Sequence, residues 1–226
     1  MHLAQQFEQV TCSQPFSHLG VIASQQGAML RVWCPDASEV TIKWENSALA
    51  DRVIKSDNAN GLFEASLPAE YNGEIYRVVA NKGRGDNGYI DPYQFTEQAY
   101  HAVHYIDSTP ANLYEQAGAQ LIDISTPQGN TVSGVRFCVF APNASAVSLI
   151  GDFNQWDGRT HPMEKTSMGY WVLFVPELTE GERYNFVLWL YGQHGQIPHG
   201  STPTPQISAK DRWSVPTEEF DNFAPF

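Results

Sequence analysis

At 226 residues, 42% of them hydrophobic, the chain is long enough for one large or two ordinary domains, each with a core of its own. No apolar run approaches a membrane span, and the first ten residues lack a basic start followed by an apolar core, so a soluble cytoplasmic protein without membrane contact is expected. A formal net charge of −12 works against a nucleic-acid partner, whose phosphates would be repelled, but leaves a neutral polymer open.

From the N-terminus, Leu3, Phe7 and Val10 recur at spacings of three and four before Pro15, which predicts a short helix or arm packed on the first domain. From Leu30 the period becomes two. Leu30, Val32 and Cys34 alternate with Arg31 and Trp33, and Val40, Ile42 and Trp44 alternate with Thr41 and Lys43. Phe63, Ala65 and Leu67 then give way to Tyr76, Val78 and Ala80. Half-buried strands joined by Gly, Asn, Asp and Pro turns are an all-β signature. Cys12, Cys34 and Cys138 are odd in number and widely spaced, so they are read as reduced, mostly buried thiols, with no disulfide framework, metal or cofactor expected.

The second half repeats the first. Gly27, Pro35, Ala37, Ser38 and Val40 match Gly134, Pro142, Ala144, Ser145 and Val147, each 107 residues later; Gly61, Pro68, Gly73, Glu74 and Tyr76 match Gly169, Pro176, Gly181, Glu182 and Tyr184, each 108 later. The expected fold is therefore two tandem immunoglobulin-like β-sandwich domains with an N-terminal helix or arm and an irregular C-terminal tail. The expected boundaries are 1–107 for the first sandwich, 108–131 for a linker with a short helix over 111–120, 132–199 for the second sandwich and 200–226 for the tail.

The copies differ most at Gly151-Asp-Phe-Asn-Gln-Trp-Asp-Gly-Arg-Thr-His-Pro-Met163, where the first copy reads Trp-Glu-Asn-Ser-Ala-Leu over 44–49. Phe153 and Trp156 stand among turn formers, so each ring either folds back onto the core or offers a flat apolar face to a ligand, for which a sugar ring is the best match. Since the first copy makes its sandwich without these rings, Trp156 is the stronger candidate for ligand contact. Carboxylate pairs such as Glu180 and Glu182, or Asp86 and Asp91, lie in turn-rich stretches and are read as solvated rather than catalytic.

Residues 134–147, 151–163, Gly169-Tyr-Trp171, Pro176 and Tyr184-Asn-Phe186 together resemble carbohydrate-binding module family 48, in the form seen in glycogen branching enzymes. Pro15-Phe-Ser-His-Leu-Gly20, Asp91-Pro-Tyr-Gln-Phe95 and Leu113-Tyr-Glu115 resemble the extra N-terminal domain of the longer branching enzymes. The resemblance implies a weakly bound α-1,4-glucan partner, with Trp156 stacking on glucose, Asn154 meeting sugar hydroxyls, and Asn185 standing where glucan-binding relatives carry a Lys. It implies that branching chemistry resides in a (β/α)8 barrel of about 250 residues, so no catalytic residue is assigned here and the chain alone is expected to be inactive. Arg159, His161 and Met163 are expected to form a docking edge for that barrel. The alternatives are a free-standing module that targets a partner to glycogen, and a non-functional product of an interrupted gene. The last follows from Ser201-Thr-Pro-Thr-Pro205, which in another reading frame can encode the Asp-Pro-Tyr-Ala that family members carry after this module, making 200–226 a frameshifted tail.

Overall fold

A computed structural model describes residues 3–24, 27–45, 48–55, 60–81, 88–101, 117–126 and 128–190. The tail, the Leu113–Glu115 motif and residues 111–116 of the expected linker helix lie outside these. Helix α1 (Leu3–Glu8) and a 3-10 turn (Pro15–Ser17) precede strands β1 (Gly20–Ser24), β2 (Gly27–Trp33), β3 (Glu39–Trp44), β4 (Arg52–Lys55), β5 (Leu62–Ser66), β6 (Tyr76–Ala80) and β7 (Tyr89–Ile90). A second 3-10 turn (Pro92–Gln94) and helix α2 (Thr96–His101) follow. The second half holds β8 (Gly118–Ser125), β9 (Thr131–Phe140), β10 (Ala144–Gly151), a 3-10 turn (Asp152–Asn154), β11 (Glu164–Lys165), β12 (Tyr170–Pro176) and β13 (Tyr184–Leu190).

The sheets pair as the repeat requires. In the first sandwich β1-β2-β5 faces β4-β3-β6-β7; in the second β11-β12-β9-β8 faces β10-β13, and every pairing is antiparallel. Core positions correspond across the copies: Leu30, Val40, Ile42, Phe63 and Tyr76 fill one core, and Phe137, Val147, Leu149, Trp171 and Tyr184 fill the other. All ten are at most 1% exposed, so period-two burial has been kept while ring sizes changed. The same turn also recurs. Cys34 N–H donates to Gly61 O at 2.7 Å and Ala141 N–H to Gly169 O at 3.1 Å, with both glycines at positive φ (75° and 85°).

Two sequence expectations need correction. Residues 118–125 are not linker: β8 pairs with β9 from Gly118–Cys138 to Ser125–Thr131, adding an edge strand to the second sandwich. The N-terminal arm is not confined to the first domain. Ala4, Phe7, Cys12 and Leu19, with Trp33 and Tyr93, join the core cluster of the second sandwich, and Lys165 N–H donates to Ser13 O at 2.9 Å. Trp33 alternates with core-facing Val32, so the C-terminal end of β2 is buried on both faces, and its outer side there meets the seam.

Asp91, expected from the sequence to be solvated, is instead buried and anchors the end of the first sandwich. Only 3% exposed, its carboxylate accepts the Tyr93 N–H at 3.2 Å and the Tyr76 hydroxyl at 2.5 Å. Burial raises its pKa to about 6, against the two hydrogen bonds, which lower it.

Two predictions follow from these contacts. A Cβ on Gly169 would meet Pro142 Cβ at 2.7 Å, whereas one on Gly129, also at positive φ, meets nothing. Gly169→Ala is therefore expected to cost about 2 kcal/mol or more, and Gly129→Ala only the backbone strain of about 1 kcal/mol, measured as urea midpoints. A raised folded pKa stabilises the chain below the unfolded value and loses that contribution as pH rises through about 6. Relative to wild type, Asp91→Asn should thus gain stability between pH 4 and pH 7, by roughly 2–3 kcal/mol; parallel pH profiles would refute the assignment.

Candidate functional site

The loop 151–163 crosses the outer face of the two-stranded sheet β10·β13. Register places Ala146, Ser148 and Ile150 of β10 opposite Trp189, Val187 and Asn185 of β13 on that face. Ser148 is fully buried there, its one hydroxyl hydrogen placed between the carbonyls of Gly158 and His161. Gly158 lies close against Ile150 and Trp189, with 3.7 Å from the position of an added Cβ to each. His161–Met163 then run beside β10, with Leu149 N–H to His161 O at 3.0 Å and Met163 N–H to Val147 O at 2.9 Å, so the loop ends as an extra edge of the small sheet.

Within the loop the two rings separate. Phe153 packs inward, tilted against Phe137 at 6.4 Å and edge-on to His161 at 5.3 Å. Trp156 stays 38% exposed, its indole N–H donating to Asp152 Oδ1 at 3.1 Å and its backbone N–H to Gly151 O at 2.9 Å. Asp152 is in turn held by Arg183, which with the indole contact keeps its carboxyl below the usual range. Gln155 and Trp156 both adopt left-handed backbone, φ 56° and 63°, which non-glycine residues rarely take and which costs of order 1–3 kcal/mol each.

Asn154 is turned into the loop and bonded there, against the expectation of a sugar contact. It is 1% exposed; its Oδ1 accepts the Gly151 N–H at 2.8 Å, and its amide nitrogen lies within 3.1 Å of Leu149 O, Thr160 Oγ1 and His161 Nδ1. Two amide hydrogens shared among these acceptors leave nothing for a sugar. Asn154 is the loop's internal staple. Asn185 is half-buried on the outer face of β13, its Oδ1 accepting the Phe186 N–H at 2.8 Å. Trp189, four residues on, shares that face and is half-buried. The sequence reading passed it over, although its period-two spacing from Asn185 was visible.

Nor do Arg159, His161 and Met163 form an outward docking edge. Met163 is fully buried in the core and His161 is 4% exposed. Arg159 reaches across to the first sandwich and the arm. Its guanidinium donates to Asp36 Oδ2 at 2.7 Å, to Glu8 Oε1 at 2.9 Å and to Asp157 Oδ2 at 2.8 Å, while its carbonyl accepts the Trp33 indole N–H at 2.8 Å. The three carboxylates raise its pKa further. Their partner is the neighbouring sandwich, because the loop lies over the seam. Around it, Tyr93 hydroxyl donates to Pro162 O at 2.9 Å, Glu164 accepts Phe16 N–H at 2.9 Å and Tyr100 hydroxyl at 2.7 Å, and Arg77 pairs with Glu177. Among the described residues, no group of three His, Cys, Asp or Glu is placed to hold a metal ion, and no helix is long and apolar enough to cross a membrane.

Comparison with known proteins divides the chain at the same place. Residues 3–93 match the family model described as alpha-1,4-glucan branching enzyme GlgB, N-terminal domain, and residues 125–201 match carbohydrate-binding module 48 (isoamylase N-terminal domain). A 1,4-alpha-glucan branching enzyme GlgB of Pseudoalteromonas atlantica is 40% identical over 204 residues, covering 90% of this chain and 28% of that protein. The Vibrio cholerae protein of the same name is 37% identical over 224 residues, covering 97% and 28%. The chain thus spans under a third of the length of the curated relatives it matches. Among solved structures, a type I pullulanase of Bacillus subtilis complexed with maltose aligns at 15% identity and TM-score 0.27, covering 75% of this chain and 22% of that one.

The seam geometry predicts that Arg159→Ala, which strips three carboxylates of their shared partner, costs about 2 kcal/mol. That corresponds to a fall of roughly 4–8 °C in Tm by calorimetry. Arg159→Lys should recover part of it, and wild type should lose some of the same stability at high salt. A Tm unchanged in Arg159→Ala would show the network to be ornamental.

Proposed function

We propose that this chain, which belongs to the 1,4-α-glucan branching enzyme family as its N-terminal region of GlgB N-terminal domain and carbohydrate-binding module 48, binds α-1,4-glucan weakly through Trp156. The observation that carries this reading is the state of that side chain. A tryptophan held on strained left-handed backbone is expected to recover the cost by burying its ring, yet the indole is left 38% exposed on a loop whose other large ring is packed. A flat apolar ligand supplies the missing cover.

Glucose fits that role. Its apolar ring face stacks on the indole, and if it covers about half of a surface of roughly 150–250 Å², burial contributes on the order of 2 kcal/mol. One such platform gives a dissociation constant in the millimolar range or weaker. Asn185 offers a neutral amide on the outer face of the small sheet, suited to sugar hydroxyls rather than to a charged group. The chain's part is to hold polymer in the cytoplasm, and glycosyl transfer belongs to a catalytic barrel of the whole enzyme.

Native gel migration in glycogen tests this. Trp156→Ala should migrate markedly faster than wild type in the glycogen gel and identically in its absence, with a cooperative thermal transition retained at a modestly lower Tm, since the ring is partly covered and its N–H is bonded to Asp152. Equal retardation of both proteins would remove Trp156 as the platform. Amylose branching by the purified chain, read by loss of iodine staining, would overturn the assignment of transfer to a barrel.

A further inference from the structure

We propose that the seam between the two sandwiches is a second glucan contact, continuous with Trp156 and built partly by the first sandwich; this rests on the glucan reading of Trp156. A cavity of about 150 Å³ opens there, with Asp36 and Tyr89 from the first sandwich on one side, Gln155, Asp157 and Thr160 from the loop on the other, and the buried Trp33 beneath.

Its chemistry selects a neutral hydroxyl-rich ligand. The carboxylates of Asp36 and Asp157 share one guanidinium, that of Arg159, at 2.7 and 2.8 Å, and Glu8 shares it too, so the rim keeps a net negative charge. An anion is therefore repelled locally as well as by the field of a chain of net charge −12, and among the described residues no three His, Cys, Asp or Glu are placed to hold a metal ion. The Thr160 hydroxyl is taken up by Asp157 O, Asn154 and His161, so the groups that face a ligand are the carboxylate oxygens and the exposed Gln155 amide, beside an aromatic ring, a combination suited to a sugar edge. The volume is below the roughly 300–1,000 Å³ of a full ligand pocket, so the cavity takes one unit of a longer chain rather than a whole ligand. Position agrees with chemistry. Gln155, exposed on the cavity rim, directly precedes Trp156, and consecutive Cα atoms are about 3.8 Å apart. Asp36 and Gln155, both left-handed at φ 62° and 56°, meet at this cavity from different sandwiches. Backbone strain of that kind concentrates where a site has to be shaped.

The test is a titration of the isotope-labelled full chain with maltoheptaose, following the Trp156 indole and Gln155 side-chain amide resonances by heteronuclear NMR. Both should move with one half-saturation concentration. Gln155→Gly, which removes the amide on backbone that glycine prefers, should raise that concentration about 3–10-fold with a Tm no lower than wild type, and Tyr89→Ala should raise it by a similar factor together with a lower Tm, because its ring packs on the first core, so binding is compared well below both transitions. If the indole moves while the Gln155 amide stays and both variants bind as wild type does, the seam contact is wrong and the Trp156 reading stands. If the amide moves and the indole does not, the seam survives and Trp156 is displaced as the platform. If neither moves, both fall.

Discussion

The guanidinium of Arg159 is the constraint on which the rest of the arrangement depends. Exposed ion pairs are individually worth under about 1 kcal/mol, and burial of Phe7, Leu19, Trp33 and Tyr93 against the second core supplies most of the attraction across the seam. Apolar burial, however, is non-directional. Arg159, bonded to Asp36, Glu8 and its own neighbour Asp157, and receiving the Trp33 indole on its carbonyl, fixes the register in which the surfaces meet. Asp157 is committed to Arg159 and Asn154 to the loop's interior, so the chain between them has little freedom. Gln155 and Trp156 occupy those two positions, and both are left-handed.

Duplication explains how such a loop could arise without loss of the fold. In the first sandwich β4 pairs with the free edge of β3. In the second, the equivalent edge of β10 is taken by His161–Met163, the end of the loop. Met163 is fully buried as it does so. The same edge requirement is met in both copies, once by a plain strand and once by a segment that first crosses the outer face and then returns. The excursion carries Trp156, and its return carries Arg159.

The duplicated sandwich was legible in the sequence because its determinants are local: period-two burial, turn glycines at fixed offsets, and rings at equivalent core positions such as Phe63 and Trp171. The loop was legible only in outline. Two rings among turn residues signalled something beyond a turn, and comparison with the first copy favoured Trp156. Composition cannot show whether an amide points inward, so Asn154 was read as a ligand contact although it is the staple. Arg159 to Met163 were read as facing an absent domain, because sequence carries no sign of which polar edge meets which sandwich. The carboxylates that settle it, Glu8 and Asp36, lie 151 and 123 residues away. Strand β8 was missed for a related reason. Gln120 and Asp123 interrupt its apolar alternation as an edge strand allows, and Pro110, Gly118, Pro127 and Gly129 in and around it make it resemble linker.

A rigid seam also bears on how a platform as small as the one proposed at Trp156 would serve a polymer. A single stacked glucose leaves little after the cost of association, and flexible domains would add an ordering cost for each further contact. Here the first sandwich, the arm and the loop are locked by a shared core and a shared cation, so groups from both sandwiches stand at fixed spacing before any ligand arrives. A repeating ligand can then engage neighbouring contacts with its ordering already met, the condition under which weak sites on one polymer add. On this view the first sandwich, which lacks the aromatic loop, has not lost its part in binding. It holds in place the loop that its own copy never acquired.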